Sequence, residues 1–311
     1  MLLLFSCADR DDRARSADGT PADSVSTAAS PADSDAAAAT ACSTPRRAGA
    51  LPDALREASG IAVSRSDPGV LWLHNDSDEE PIIYAADTAG ALLATVRVAG
   101  ATSADWEDIA VGDCPAGDCI YLAAIGDNYH ERDDRGFYRF EEPDRDARRT
   151  AAADFFPFRY PDAPRDAEAL FVMPGGEVFI ISKGRDGPVA VYRYGVPDAP
   201  DSVRTLEPVQ QLTTGIVQLP QMVTAAGATP DGAWIAVRTY SALHFYSMRD
   251  GHLAPALDSA GVDLRPLGEF QGEGADIRAD GAVFLASEKG LDENPAPPLS
   301  ILRCRLDRLR K

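Results

Sequence analysis

A short hairpin unit with an acidic start recurs along this chain, and this repeat restricts the possible folds more than any other feature. The clearest copy begins at Asp105-Trp106-Glu107-Asp108, turns at Cys114-Pro115-Ala116-Gly117-Asp118-Cys119 and ends at Gly126-Asp127-Asn128. Its two halves are short runs of apolar, β-branched and aromatic residues bounded by turns, a pattern typical of β-strands. One hairpin cannot bury its own faces, so the units must pack against one another.

The repeat predicts an all-β protein folded as a β-propeller of five blades. Three or four strands per unit, at a period of roughly 40 to 60 residues, are typical of propeller blades. The fifth unit supplies only three strands before the chain ends, so we expect residues near 40–50 to add the missing strand and close the ring by pairing the two terminal segments. A six-bladed ring, with its extra blade in residues 197–222 or 252–270, and a β-sandwich are the alternatives.

The amino-terminal region has a different composition from the rest. Residues 1–7, Met-Leu-Leu-Leu-Phe-Ser-Cys, resemble a truncated bacterial lipoprotein signal, in which Cys7 would be the lipidated residue. Residues 8–48 contain almost no large apolar side chain, which predicts a disordered tether. We therefore expect one propeller domain over residues 49–311, exported and held by a lipid anchor in the periplasm or at the cell surface.

The remaining cysteines fit an exported protein. Cys114 and Cys119 flank a turn that can bring them within disulfide range, so we predict that they are bonded. Cys42 and Cys304 would also meet if the terminal segments pair, which makes a second disulfide a weaker hypothesis. A structural zinc site would need a second Cys or His pair at suitable spacing, and none is obvious.

The charge balance limits the partners. The formal net charge is -19, from 49 acidic and 30 basic residues. Such a chain is poorly suited to nucleic acid and to electrostatic docking on anionic lipid. No run approaches the roughly 18 apolar residues that span a bilayer, so the lipid anchor would be the only membrane contact. We expect a monomer.

The acidic positions of the repeat should meet, because the first strand of each propeller blade lines the central channel. The predicted metal ligands are Glu57, Glu107, Glu168, Glu273 and Asp127. The predicted ligand-binding residues near the mouth are Asp76, His74, Asn128, Lys183, Arg238 and Glu288. Buried carboxylates that share a channel must be neutralised. A hard divalent cation such as Ca²⁺ would do this through oxygen ligands. Ion pairs with Lys183, Arg238 and Lys289, or shared protons, are the alternatives.

Several motifs resemble those of a group of exported bacterial propeller proteins of mostly hypothetical function. They are Glu-Ala-Ser-Gly at 57–60, Leu-His-Asn-Asp-Ser at 73–77, Asp-Trp-Glu-Asp-Ile-Ala at 105–110, Gly-Asp-Asn at 126–128, Asp-Ala-Glu-Ala-Leu at 166–170 and Arg-Thr-Tyr at 238–240. At the level of the fold alone, the chain is also similar to calcium-dependent phytase-like and gluconolactonase-like propellers. Those resemblances imply a propeller and a cation, but no particular substrate.

Two functions therefore remain open from the sequence. One is a binding or scaffold protein, in which a cation stiffens the ring and the loops meet a protein partner or a small anionic or sugar-like ligand. The alternative is a metal-dependent hydrolase of an anionic or sugar-derived ester, with Lys183 and Arg238 holding negative charge. The motifs of serine hydrolases, P-loop proteins and zinc peptidases do not occur in the chain.

Overall fold

The structure is a computed structural model that describes residues 41–256, 261–290 and 296–309. Cys7 and residues 8–40 of the predicted tether lie outside this part of the chain. In the described ranges the regular structure is β-strand apart from two 3₁₀ turns, Arg265–Leu267 and Leu306–Arg308. No helix in those ranges has the length and apolar character that a membrane crossing requires.

The strands form five sheets, and each sheet is one blade. The chain opens with β1 (Arg46–Ala50), which belongs to the fifth blade. The first blade contains β2 (Ala58–Val63), β3 (Val70–Asn75), β4 (Ile82–Asp87), β5 (Leu92–Ala99) and β9 (Arg149–Ala152). The second contains β6 (Asp108–Cys114), β7 (Gly117–Ala124), β8 (Gly136–Glu141), β10 (Asp154–Arg159) and β14 (Arg204–Thr205).

The last three blades follow the same plan. The third contains β11 (Ala167–Met173), β12 (Glu177–Ser182), β13 (Ala190–Gly195) and β15 (Glu207–Gln211). The fourth contains β16 (Val223–Ala228), β17 (Ile235–Thr239), β18 (Ala242–Arg249), β19 (His252–Pro255) and β20 (Val262–Asp263). The fifth contains β21 (Gly272–Ile277), β22 (Ala282–Ser287), β23 (Pro298–Arg303) and β1.

The five blades close into a ring, which confirms the predicted propeller. The innermost strands β2, β6, β11, β16 and β21 contact one another in cyclic order. Strand β1 pairs antiparallel with β23, and the disulfide Cys42–Cys304 joins the same two ends, so the predicted closure is also confirmed. This pairing places residues 42–48 in the propeller, although the sequence analysis assigned them to the tether. The disulfide Cys114–Cys119 is present as predicted.

The two regions considered for a sixth blade contain outer strands instead. Residues 197–222 contribute β14 to the second blade and β15 to the third, while the described part of 252–270 contributes β19 and β20 to the fourth. Both regions looked like independent strand sets because outer strands are short and separated by polar loops. The β-sandwich alternative fails because the sheets contact neighbours on both faces around a common axis.

Buried carboxylates bind the inner strands to one another. Asp108 of β6 accepts hydrogen bonds from the backbone N–H groups of Leu170 (2.9 Å) and Ala226 (3.1 Å), which belong to the third and fourth blades. Asp276 of β21 accepts one from Val63 of the first blade (2.7 Å). These hydrogen bonds satisfy backbone groups that adjacent blades cannot pair, and they fix the inner strands around the channel.

Candidate functional site

A β-bulge on the inner strands decides which side chains face the channel. The pairing register shifts by one residue at the start of β2, β11, β16 and β21. The bulged residues are Ser59, Glu168, Thr224 and Glu273. In the second blade Glu107 takes the same place, because its N–H donates to Ala123 O while Ala123 is also paired with Asp108. The bulge therefore gives each blade one side chain directed inward.

These inward positions are not chemically equal. Glu107, Glu168 and Glu273 line a central cavity. The hydroxyl of Ser59 donates instead to Glu107 O (2.8 Å), and that of Thr224 donates to Gly272 O (3.0 Å). The two hydroxyls join neighbouring blades, so three of the five bulges supply carboxylates to the cavity.

The central cavity has a volume of about 360 Å³ and opens at one face of the propeller. Seven of the eleven residues predicted for the metal and ligand sites line it: Asp76, Glu107, Asn128, Glu168, Lys183, Glu273 and Glu288. Five further residues that were not predicted also line it: Arg185, Leu219, Met222, Tyr240 and Gln271. The cavity is therefore polar and strongly acidic.

Three carboxylates form a candidate metal centre at the cavity wall. One oxygen from each of Asp76, Asp105 and Glu107 lies within 4.8 Å of the other two. The backbone N–H of Trp106 donates to Asp76 O (2.9 Å), which holds the end of β3 against this segment. A side chain at Gly126 would overlap Glu107 Oε1 and would lie 2.6 Å from Asp105 Cγ, so the close approach of these carboxylates requires glycine there.

The donor set fits a hard divalent cation. All three groups offer oxygen, which calcium and magnesium prefer. Asp76 Oδ1 is buried and accepts no hydrogen bond from any described residue, so it has an unused lone pair beside Asp105 and Glu107. Burial, followed by the charges of Asp105 and Glu168, raises the pKa of Asp76 to about 7. Burial and the charge of Glu168 likewise raise the pKa of Glu107 well above its usual range.

The two cations of the cavity are already paired. Lys183 Nζ donates to Glu168 Oε1, and Arg185 Nη2 lies 3.0 Å from Asp166 Oδ2. Burial lowers the pKa of Lys183, but the charge and hydrogen bond of Glu168, together with Tyr240 and Glu107, outweigh it, so the pKa is raised overall and the ammonium stays charged. Burial raises the pKa of Glu168 to about 7 against the opposing effect of Lys183.

The wall formed by the fifth blade is acidic and carries no cation. The Tyr240 hydroxyl donates to Glu273 Oε1 (3.3 Å). Burial, Glu168 and Glu288 raise the pKa of Glu273 well above its usual value, and burial also raises that of Glu288. Within the described part of the chain, no Lys or Arg forms an ion pair with Glu273 or Glu288. This wall can accept hydrogen bonds from a ligand.

Four predicted site residues lie outside the cavity. His74 is fully buried between blades, where its Nδ1 bonds with Asn75 O (2.9 Å) and its ring meets Trp106 edge-on. Burial lowers its pKa to about 4, so it is a neutral core residue. Asp127 is buried in an ion pair with Arg135 and accepts the N–H groups of residues 131 and 132, so it caps a loop.

Arg238 and Glu57 were also predicted to contact ligand or metal. Arg238 is fully buried, pairs with Glu269 and donates to Gly274 O (2.8 Å) and Ala286 O (2.9 Å), so its guanidinium joins the fourth blade to the fifth. Glu57 is exposed and precedes the bulge by two residues; its Oε2 accepts from Ser77 Oγ (3.2 Å). Neither side chain lines the cavity.

Three of the residues that sequence reasoning missed have the same spacing from predicted ones. Asp105 stands two residues before Glu107, Arg185 two residues after Lys183 and Tyr240 two residues after Arg238. Each lies within three residues of a strand end. A search extended by two residues from every predicted site residue would have included all three.

Comparisons with known proteins found similar solved structures but no related family or curated protein. No family model matches the chain. No curated protein matches it either. One similar solved structure is the PQQ-bound aldose sugar dehydrogenase of Streptomyces coelicolor, with 11% identity and a TM-score of 0.48 over 84% of this chain and 98% of that one. A second is a gluconolactonase of Xanthomonas campestris, with 13% identity and a TM-score of 0.44 over 82% of this chain and 88% of that one. A third is an α-L-arabinofuranosidase of Podospora anserina in complex with cellotriose, with 10% identity and a TM-score of 0.49 over 83% of this chain and 94% of that one. The predicted fold-level similarity to gluconolactonase-like propellers is confirmed, and it assigns no substrate.

Proposed function

We propose that the protein is an exported binding protein whose central cavity holds a hard divalent cation of the calcium class and presents it to a small polar ligand. The observation that carries this proposal is the convergence of Asp76, Asp105 and Glu107, with oxygens within 4.8 Å of one another. Calcium takes six to eight oxygen ligands, and three carboxylates that bind through one oxygen each supply only three of them. Coordination positions on the cavity side would therefore accept ligand oxygens.

The charges favour a neutral, hydroxyl-rich ligand over an anionic one. Lys183 and Arg185 are already engaged with buried carboxylates, whereas no Lys or Arg of the described residues forms an ion pair with Glu273 or Glu288. Ligand hydroxyls can donate to these carboxylates, and Asn128 can bond with them as donor or acceptor. A sugar-like molecule has this chemistry.

The mouth of the cavity adds an apolar surface to the polar interior. Leu219 lines the cavity and is 67% exposed, while Tyr129 (84%) adjoins Asn128 and Phe270 (50%) adjoins Gln271. Aromatic and aliphatic side chains in such a place can pack against the apolar face of a sugar ring. Leu219 thus supplies an exposed apolar contact at the cavity wall.

Export and anchoring belong to the same proposal. Both disulfides are of a kind that persists in oxidising compartments. With residues 8–40 as a tether and Cys7 as the lipidated residue, the propeller would stand away from the membrane surface with its cavity open to the periplasm or the exterior.

Calcium titration calorimetry tests the metal site. We expect wild-type protein to bind one Ca²⁺, and Asp76→Asn to weaken the affinity at least about tenfold, because it removes a charged ligand and about 1.4 kcal/mol is a factor of ten. Asp53→Asn, at an exposed carboxyl outside the cavity, serves as the matched control and should leave the affinity unchanged. Failure of the wild type to bind, or an equal loss in both variants, would refute the metal site.

A metal-dependent hydrolase of a sugar-derived ester is the second candidate. It is favoured by Glu168, which lines the cavity and has a pKa of about 7, as suits a general acid or base at neutral pH. A bound cation would polarise the ester carbonyl, while Lys183 holds Glu168 Oε1 and orients its other oxygen. Hydrolysis of lactones and sugar esters that is lost in Glu168→Gln, with calcium binding intact, would establish this activity; an inactive wild type would leave the binding function.

A further inference from the structure

A second cavity, larger than the central one, lies between the third and fourth blades. Its volume is about 600 Å³, and its walls come from Val189, β15 and four residues that follow β15 on one side and from β16 to β19 on the other. The four residues are Leu212, Thr213, Val217 and Gln221. The residues that line the central cavity take no part in it. We call it the inter-blade cavity.

The packing of this interface explains the gap. Blades diverge with distance from the axis, and the wedge between the second and third blades is filled by aromatic side chains such as Phe137, Phe156 and Tyr194. Between the third and fourth blades the buried cluster has one stacked aromatic pair, Phe171 and Phe179, and is otherwise mostly aliphatic. Shorter side chains leave the outer part of the wedge open.

Gln210 holds the outer strands apart. Its side-chain Nε2 donates to Leu253 O (3.1 Å) and its Oε1 accepts from Leu253 N (2.8 Å). The amide thus replaces a direct backbone pairing between β15 and β19, so one side chain separates the two strands. Both polar atoms of the amide are satisfied, which stabilises the open geometry.

The cavity lining is uncharged. None of the eighteen described residues that line it is Asp, Glu, Lys or Arg, although charged residues make up 25% of the chain. Its floor is aliphatic and includes Val189, Val223 and Val237. A charged ligand would lose its hydration there without gaining a partner, so the lining selects neutral molecules.

Eight of the eighteen described lining residues are polar, and two of them, His244 and Tyr246, lie on β18. His244 and Tyr246 are two residues apart on β18, so their side chains face the same side of the sheet, and both line the cavity. In the described ranges, neither the His244 ring nor the Tyr246 hydroxyl has a hydrogen-bond partner. Burial lowers the pKa of His244, so its ring is neutral and can accept as well as donate a hydrogen bond.

We propose that the inter-blade cavity binds a neutral, mostly apolar small molecule whose hydroxyl or carbonyl group hydrogen-bonds to His244 and Tyr246. The volume lies within the roughly 300 to 1,000 Å³ of small-molecule sites, and an apolar lining with a few convergent polar groups is their usual composition. This site does not depend on the cation or on the ligand of the central cavity.

Naphthalene and 1-naphthol are suitable probes, because they differ only in one hydroxyl. We expect 1-naphthol to bind wild-type protein saturably with one site, as measured by its fluorescence. Tyr246→Phe and His244→Phe should each weaken 1-naphthol about fivefold, the loss of one hydrogen bond, and should leave naphthalene binding unchanged. His252→Phe, an exposed histidine in the same blade, is the matched control and should change neither.

A filling variant tests the location of the site. Ala242 lies two residues before His244 on the same side of β18, so Ala242→Phe places a ring in the cavity and should abolish binding of both probes. Ala91→Phe, in an exposed turn of the first blade, controls for the added ring. Urea unfolding verifies that the variants fold, and calcium titration should be unaffected by Ala242→Phe. Non-saturable binding, or binding that survives Ala242→Phe in a folded protein, would overturn the proposal.

Discussion

Arg238 illustrates how a charged residue at a strand end can be structural. It is fully buried, and its guanidinium satisfies Glu269 and two backbone carbonyls of the fifth blade. Arg238→Met would leave Glu269 buried without a cation, which costs about 3 to 5 kcal/mol of the free energy of unfolding. Urea denaturation measures this loss.

The control for Arg238→Met is Arg249→Met, at an exposed arginine on β18, which should change stability by less than about 0.5 kcal/mol. The folded fraction of Arg238→Met should keep wild-type calcium affinity, because the guanidinium does not reach the central cavity. A variant of normal stability that had lost calcium or ligand binding would show that Arg238 acts in the site after all.

Residue types at strand ends were predictable from the sequence, but the directions of their side chains were not. Asp76 and Asp127 both follow the second strand of a blade, so their positions in the sequence do not show which of the two faces the cavity. Asp76 faces the cavity, whereas Asp127 turns toward Arg135 because the segment 129–135 folds back over it. Such choices depend on loops whose path is set by tertiary contacts, so a local pattern cannot decide them.

At the scale of the strand, the bulge explains both the success and the error of the repeat alignment. The period of the hairpins predicts five inner strands, four of them with an acidic start, and Glu107, Glu168 and Glu273 do meet. In the first blade the sequence analysis aligned Glu57, yet the pairing register places Ser59 in the bulge. One inserted residue reverses the alternation of inward and outward side chains, so strand periodicity cannot locate it.

The two disulfides should differ in their effect on stability because they close very different loops. Cys42 and Cys304 are 262 residues apart, whereas Cys114 and Cys119 are five apart. In the chain-entropy account, the long loop contributes about 5 kcal/mol and the short one about 2 kcal/mol. The double variant Cys42→Ser/Cys304→Ser should therefore lower the free energy of unfolding more than Cys114→Ser/Cys119→Ser.

Urea unfolding of both double variants under oxidising conditions makes this comparison, with each pair serving as the control for the other. The long-range pair also ties β1 to β23, so its loss should expose the edge between the first and fifth blades to proteolysis before the other blades. Equal losses, or a larger loss for the hairpin disulfide, would mean that terminal pairing through β1 is sufficient to keep the ring closed.

On the scale of the whole molecule, ring closure brings carboxylates together that are far apart in the chain, and this concentration carries an electrostatic cost. One cavity of about 360 Å³ is lined by five carboxylates, and among the residues that the structure describes Lys183 and Arg185 are the only cations that line it. The carboxylates are those of Asp76, Glu107, Glu168, Glu273 and Glu288. The sequence predicted this convergence because it follows from the repeat alone. It could not predict which neutralising group each carboxylate finds, since Lys183 pairs with Glu168 inside the third blade whereas Arg238 pairs with Glu269 of the next blade, and these choices depend on loop paths.

The electrostatic cost of the acidic cavity should make the stability of the calcium-free protein depend on pH, and calcium should remove this dependence. Burial raises the pKa of Asp76 to about 7, above its unfolded value of 3.8, and the charge of Asp105 adds to this effect. Burial also raises the pKa of Glu168 to about 7, above its unfolded value of 4.5, against the opposing charge of Lys183. Between the unfolded and the folded pKa values, the folded state binds more protons than the unfolded chain. The stability that these two groups contribute is therefore fully present below about pH 4 and is lost as the pH rises through 7. In EDTA, wild-type protein should therefore melt at a lower temperature at about pH 8 than at about pH 5.

Calcium should raise the melting temperature more at about pH 8 than at about pH 5, because its ligands must be deprotonated and protons compete with the cation at the lower pH. Asp76→Asn isolates this contribution from surface ion pairs such as Arg65–Asp113, where the pKa of the carboxyl is lowered and the pH dependence has the opposite sign. The variant should lose much of both the pH effect in EDTA and the calcium effect. A wild-type protein that is equally stabilised by calcium at both pH values would show that the acidic cavity is neutralised by its own lysine, arginine and shared protons rather than by a metal.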